Sequence, residues 1–128
     1  VIHSDLLNRN VFIDGDRLTG VIDWGCLMYG DFLYDIAWLT FWSPWYSAWR
    51  GIDIEAEALG HARASGLDLP DASTRLRCYE IYIGLAHFAY NTFTGNWPAY
   101  EWTVARTLAI VDRIGQAADQ VSRHRKRR

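Results

Sequence analysis

The segment Asp14-Gly15-Asp16-Arg17 constrains the fold of this chain more than any other. It is a tight-turn signal between two short β-branched or aromatic runs, Val11-Phe12-Ile13 and Leu18-Thr19-Gly20-Val21-Ile22, and the combination predicts a β-hairpin. An antiparallel hairpin pairs the start of its first strand with the end of its second. Asn10, at the base of the first strand, is therefore expected nearly opposite Asp23, just beyond the second. An amide and a carboxylate that are distant in sequence become neighbours.

Past the hairpin the pattern changes. A loop containing Gly25, Gly30 and Asp31 gives way to helical spacing over Phe32 to Thr40, which Pro44 ends or kinks. A second helix is predicted from Ile52 to Ala64, closed by Gly66 and Pro70, with Asp71 or Ser73 as cap of the next. From Thr74 to Phe93 the apolar positions Leu76, Tyr79, Ile83, Ala86 and Tyr90 recur at helical spacing. Trp102, Ala105, Leu108 and Val111 repeat that pattern between Pro98 and Gln120. The fold class expected is α+β and mainly α-helical: one unit, a small β-hairpin packed on a helical bundle. At 128 residues, 50% of them hydrophobic, the chain has enough apolar surface for one ordinary domain with a real core.

Charge and cysteine content narrow the classes of partner. A formal net charge of -2 offers no global attraction to nucleic acid or to an anionic membrane. The basic run Ser122-Arg123-His124-Arg125-Lys126-Arg127-Arg128 carries no interleaved aromatic residue on which bases would stack, so it reads as a solvated, disordered tail and nucleic acid is not expected as a partner. The most apolar run, Ile36 to Trp42, is interrupted by Thr40 and bounded by Asp35 and Pro44, far short of the roughly 20 residues that span a bilayer. No membrane partner is expected. Cys26 and Cys78 are too few and too far apart for a disulfide framework or a metal knuckle, which fits a reducing compartment, the cytoplasm. Val1 is not an initiator residue, and the chain is expected to be a fragment.

The residues flanking the hairpin carry the chemistry. Phosphoryl transfer needs the charge of the nucleotide phosphates offset by magnesium, which prefers oxygen ligands such as a carboxylate and an amide carbonyl. Asp23 and Asn10 supply that pair. The acceptor hydroxyl must also be aimed at phosphorus, and a carboxylate that accepts its hydrogen bond can orient it and take its proton. Asp5 stands in the same irregular segment as Asn10, where a loop can turn both side chains into one cleft. Asp and Asn also occupy turns because they tolerate turn geometry. That explains each residue singly but not their joint register with His3.

The spacing His3-x-Asp5-x-x-x-x-Asn10 matches the catalytic loop of protein kinases, and Asp23-Trp24-Gly25 stands where those enzymes carry the metal-binding Asp-Phe-Gly. More closely, this loop, then Val21-Ile22-Asp23-Trp24, then Gly30-Asp31-Phe32-Leu33-Tyr34-Asp35-Ile36-Ala37 resembles the aminoglycoside phosphotransferase family of kinase-like enzymes. Phe41-Trp42-Ser43-Pro44-Trp45, Arg75-Leu76-Arg77-Cys78-Tyr79, Ile83-Gly84-Leu85 and Gly95-Asn96 are most similar to its hygromycin-phosphorylating members, and the likeness runs from Val1 to about Ile114.

The resemblance implies a transferase moving the γ-phosphate of ATP, GTP being equally compatible with these residues, to a hydroxyl of a hygromycin-like aminoglycoside or related small molecule. It implies Asp5 as catalytic base, Asn10 and Asp23 as magnesium ligands, and His3 and Asp35 as supports of the catalytic loop. Residues 1–121 would form the C-terminal catalytic lobe of a kinase-like fold, and 122–128 a basic tail. Trp42 and Trp45 are placed to form an aromatic wall against sugar rings, with Asp31 a further candidate substrate contact. Glu55, Glu57, Glu80, Glu101 and Asp112 read as a solvated acidic face.

Two departures stand out. Ser4 occupies a position where glycine is frequent in the family. No Gly-rich loop, phosphate-contacting lysine or partner glutamate precedes His3, so the N-terminal nucleotide-binding lobe is missing from these residues, which alone are not expected to turn over. The alternative is a non-catalytic helical remnant or interaction module.

Overall fold

Gly15 takes φ 61°, a backbone conformation that glycine adopts without steric cost, and the chain reverses there. In the computed structural model, which describes residues 1–125, strands β1 (Val11–Asp14) and β2 (Arg17–Val21) pair antiparallel around that turn. Val11 lies opposite Val21 and Asp14 opposite Arg17, with a bulge where Phe12 faces Gly20 and Ile13 faces Leu18. An isolated two-stranded hairpin is marginal in water. This one is held at its open end, where the Ile22 N–H donates to the Asn10 carbonyl at 2.9 Å.

Four helices follow: α1 (Leu33–Trp42), α2 (Ile54–Ala64), α3 (Ala72–Thr94) and α4 (Trp97–Arg125). Helix α1 ends at Trp42 and tightens into a 3-10 turn over Ser43–Trp45, with Ser43 still helical at φ -52° and ψ -39° and Pro44, which has no N–H to continue the α-helical ladder, in its first turn. Helix α2 starts at Ile54 rather than Ile52, because the Asp53 side chain caps it by accepting the Ala56 N–H at 3.0 Å. It ends where the Leu67 N–H reaches the Ala62 carbonyl and the Gly66 N–H that of Arg63, with Gly66 at φ 79°, a Schellman ending. Gly95 closes α3 in the same way, its neighbour Asn96 donating to the Asn91 carbonyl at 2.9 Å. Among the described residues no helix is long and apolar enough to cross a membrane.

The chain divides into two compact units after Tyr79, where the sequence reading expects one. In the first unit Leu33, Ala37 and Phe41, one row along α1, are fully buried, as is Leu76, and Ile2, Leu59, Ala62 and Ala72 are buried with them. Fully burying a leucine or phenylalanine side chain contributes about 2 kcal/mol, so this row anchors the loops that precede α1.

The second unit corrects the expected pattern. Ala86 and Tyr90 on α3, and Ala105, Leu108 and Val111 on α4, are exposed. The buried rows are Glu80, Ile83, Gly84 and Asn91 on α3 and Thr103, Thr107 and Ile110 on α4. The threonines enter the interior because their hydroxyls are satisfied within their own helix, Thr103 Oγ1 donating to the Ala99 carbonyl at 2.6 Å and Thr107 Oγ1 to that of Thr103 at 2.8 Å. Glu80, expected on a solvated face, is completely buried, with the Arg106 guanidinium 3.8 Å away. Helix α4 also runs beyond Gln120 through the first part of the basic run. Residues 126–128, the rest of the expected tail, lie outside the described residues.

Candidate active site

Three successive residues, Ile2, His3 and Ser4, set the geometry around Asp5. Ile2 forms a two-way backbone bridge with Met28, at 2.9 and 3.2 Å. The His3 and Ser4 N–H groups both donate to the carboxylate of Asp35 on the first turn of α1, at 2.9 and 2.7 Å. Ser4 is at φ 59°, a left-handed conformation that favours glycine, and this turns the two amides toward one acceptor. The Ser4 hydroxyl donates to the Cys26 carbonyl. Asp35 is thus engaged with the Asp5 loop itself.

His3 is buried, with its ring 4.8 Å from that of Trp24. Its Nε2 lies 2.8 Å from the Ile22 carbonyl, and its Nδ1 accepts the Asp5 N–H at 3.3 Å. Both contacts are satisfied by the tautomer with the proton on Nε2. The imidazole therefore bridges the segment entering Asp5 and the strand end leading to Asp23.

Asn10 is buried, and its Nδ2 donates to the Asp5 backbone carbonyl at 2.7 Å and toward Asp5 Oδ2 at 3.4 Å. With its donor end tied to Asp5, the amide has its carbonyl Oδ1 to offer a cation. Asp23 follows Ile22, the hairpin partner of Asn10, and takes φ 62° at the start of a 3-10 turn over Trp24–Cys26. Asp23 is exposed. Among the described residues no group of three or more His, Cys, Asp or Glu side chains is placed to hold a metal ion, so the donor set to weigh is this amide and carboxylate. Two hard oxygen donors on adjoining hairpin ends suit magnesium, which takes few protein ligands and keeps several waters.

The remaining candidates belong to a second set of contacts. Asp31 Oδ2 accepts from Arg75 Nε and Nη2, at 3.0 and 2.5 Å, and from the Tyr79 hydroxyl at 3.1 Å, while Oδ1 accepts the Leu33 N–H at 3.1 Å. Burial alone would raise the Asp31 pKa, but these hydrogen bonds and the Arg75 charge hold it below the ordinary aspartate value. Tyr79 moves the other way: burial first, then donation to the Asp31 anion, raises its pKa above the usual tyrosine value. From Tyr79 an aromatic ladder runs through Tyr34, Trp38 and Trp42 to Trp45, with ring centroids 5.6, 6.3, 6.0 and 6.3 Å apart. Its last ring, Trp45, is 49% exposed.

Sequence reasoning read Tyr79 as an apolar helix position and Arg75 only as part of a family-like segment; their bonds to Asp31 depend on α3 reaching it. Ser4 was legible only as a departure from glycine.

A loop carboxylate, an amide tied to it, a second carboxylate at the far end of a hairpin and a helix carboxylate bracing the loop make up the arrangement expected of a kinase-like fold. The chain belongs to the phosphotransferase enzyme family, whose model matches residues 1–79. It is similar to hygromycin-B 4-O-kinase of Escherichia coli, with 34% identity over 111 residues that cover 87% of this chain and 30% of that one. Its fold is similar to crystal structures of thermostable mutants of aminoglycoside phosphotransferase APH(4)-Ia. The ternary complex with AMP-PNP and hygromycin B gives a TM-score of 0.68 at 36% identity, covering 87% of this chain and 35% of that one. The apo form gives 0.69 at 34% identity, covering 88% and 36%. The chain thus spans about a third of the length of the relatives it matches.

Proposed function

We propose that these residues form the acceptor-activating and cation-holding part of an ATP-dependent phosphotransferase, acting on a hydroxyl of a hygromycin-like aminoglycoside and so conferring resistance to it. The observation that carries this reading is the double attachment of Asn10: its side-chain amide to Asp5, and its backbone carbonyl to the strand end that leads to Asp23. Asp5 accepts the hydrogen bond of the acceptor hydroxyl. As the acceptor oxygen bonds to the γ-phosphorus and the bond to the ADP oxygen breaks, the hydroxyl proton passes to the Asp5 carboxylate. Asn10 Oδ1 and the Asp23 carboxylate would hold magnesium, which when bound offsets the phosphate charge.

His3 and Asp35 keep the Asp5 loop in shape. Trp45, with Trp42 behind it, presents a flat apolar face suited to a sugar ring. Asp31, with both oxygens already engaged, is read as a brace between the loop and α3 rather than as an acceptor contact.

The test uses the complete reading frame with ATP, magnesium and a panel of aminoglycosides including hygromycin B, read by mass spectrometry of the product. The expected result is a phosphorylated aminoglycoside, with kcat lower by about 100-fold or more in Asp5→Asn while nucleotide affinity is kept. Absence of any phosphorylated acceptor, or an Asp5→Asn enzyme as fast as wild type, overturns the proposal.

A further inference from the structure

We infer that Ser4 is a positioning residue for phosphoryl transfer: its hydroxyl ties the loop that carries Asp5 to the loop that carries Asp23, and so sets the placement of one carboxylate relative to the other. The inference rests on the phosphotransferase reading. Ser4 is 6% exposed, immediately precedes Asp5, and donates through Oγ to the carbonyl of Cys26, the last residue of the 3-10 turn that begins after Asp23.

Asp23 is thereby bracketed. On its one side the Ile22 carbonyl is 2.8 Å from His3 Nε2, on its other the Cys26 carbonyl takes the Ser4 hydroxyl, and Met28 is bridged to Ile2 beyond. Of these links the serine hydroxyl is one that a substitution can remove without touching the backbone.

The backbone at Ser4 sharpens the argument. At φ 59° glycine would sit without strain, whereas serine carries the penalty of a side chain in the left-handed region. Shape alone would be served better by glycine. Serine adds a donor aimed at the neighbouring loop, and displacements of about 1 Å in reacting groups cost on the order of 100-fold in rate.

Ser4→Gly and Ser4→Ala in the complete reading frame separate the hydroxyl from the backbone. Glycine suits the left-handed position and folds at least as well as serine; alanine keeps the strain; both lose the tie. Both variants are expected to show kcat about 5- to 10-fold lower, the value of one hydrogen bond, with the KM values for ATP and acceptor within about twofold of wild type. Hydrogen exchange should accelerate at the backbone amides of residues 24–28 in Ser4→Gly and not across α1. A Ser4→Gly enzyme with wild-type kcat, or with unchanged exchange in that segment, overturns the inference while leaving the phosphotransferase reading intact. A wild-type enzyme that phosphorylates no acceptor overturns both.

Discussion

Asp35 Oδ1 accepts the backbone N–H of Ser4 at 2.7 Å across a sequence separation of 31. Its other oxygen takes the N–H of His3 at 2.9 Å, so one carboxylate orients two successive peptide groups immediately before Asp5. Charge-assisted bonds of this kind are shorter and stronger than neutral ones. The first turn of α1 therefore holds the loop from below.

Replacing that carboxylate by an amide keeps its shape but turns one acceptor into a donor. Asp35→Asn should lose about 2 kcal/mol of stability in urea unfolding, since one amide would face an NH2 group. A variant as stable as wild type would show that the latch contributes nothing.

The Asp31 network makes stability depend on acid. Its pKa is depressed in the folded chain, so its contribution is fully present above the ordinary aspartate value of 3.8 and is lost as pH falls through the lower, folded value. Tyr79 acts at the other end, its raised pKa giving stability that is full below 10.0 and lost as pH rises through its folded value. In Asp31→Asn, stability measured from pH 6 down to pH 2 should fall less steeply than in wild type, and parallel curves would count against the network.

Gly84 faces Thr107, and a Cβ built there collides with the Thr107 Oγ1 and lies 3.0 Å from its Cγ2. Thr107 cannot move aside cheaply, being buried and bonded to the Thr103 carbonyl. Gly84→Ala should therefore destabilise by about 1–2 kcal/mol despite the better helix propensity of alanine. Adding Thr107→Ala should recover most of the loss. Thermal unfolding of the three variants tests this, and a stabilised single mutant would refute the close approach.

At the exposed end of the aromatic ladder, Trp45→Ala should raise the acceptor KM about 5- to 10-fold with the ATP KM unchanged, the worth of one stacking contact. Trp42, in contact with the rings of Phe41, Trp38 and Trp45, should in addition cost stability when truncated. Equal changes in both KM values for Trp45→Ala would assign it to folding alone.

Asp23→Asn should raise the magnesium concentration needed for half-maximal activity several-fold while leaving unfolding unchanged, because this side chain is exposed. An unaltered magnesium titration would exclude it as a ligand.

Much of the first unit was legible because its signals are local. The Gly15 turn dictates the pairing that carries Asn10 to Ile22, and Pro44 and Gly66 stop helices through backbone restrictions that need no tertiary partner. The second unit was less legible, because its interior is partly polar. Reading apolar rows placed Leu108 and Val111 inside, whereas the interior holds Thr103, Thr107 and Glu80. A threonine bonded to its own helix and a glutamate beside an arginine look like surface residues to any pattern that counts apolar side chains.

The sequence by itself determined the hairpin, the order and rough extent of the helices, and the register of His3, Asp5, Asn10 and Asp23, since turn chemistry and spacing act over a few residues. Tertiary structure alone decided that Asp31 is shared by Arg75 and Tyr79, that Ser4 reaches Cys26, and which face of α4 is buried. Each of these depends on a donor and an acceptor, or two packed surfaces, brought together from distant parts of the chain, and a buried polar group is stable only once that partner has arrived.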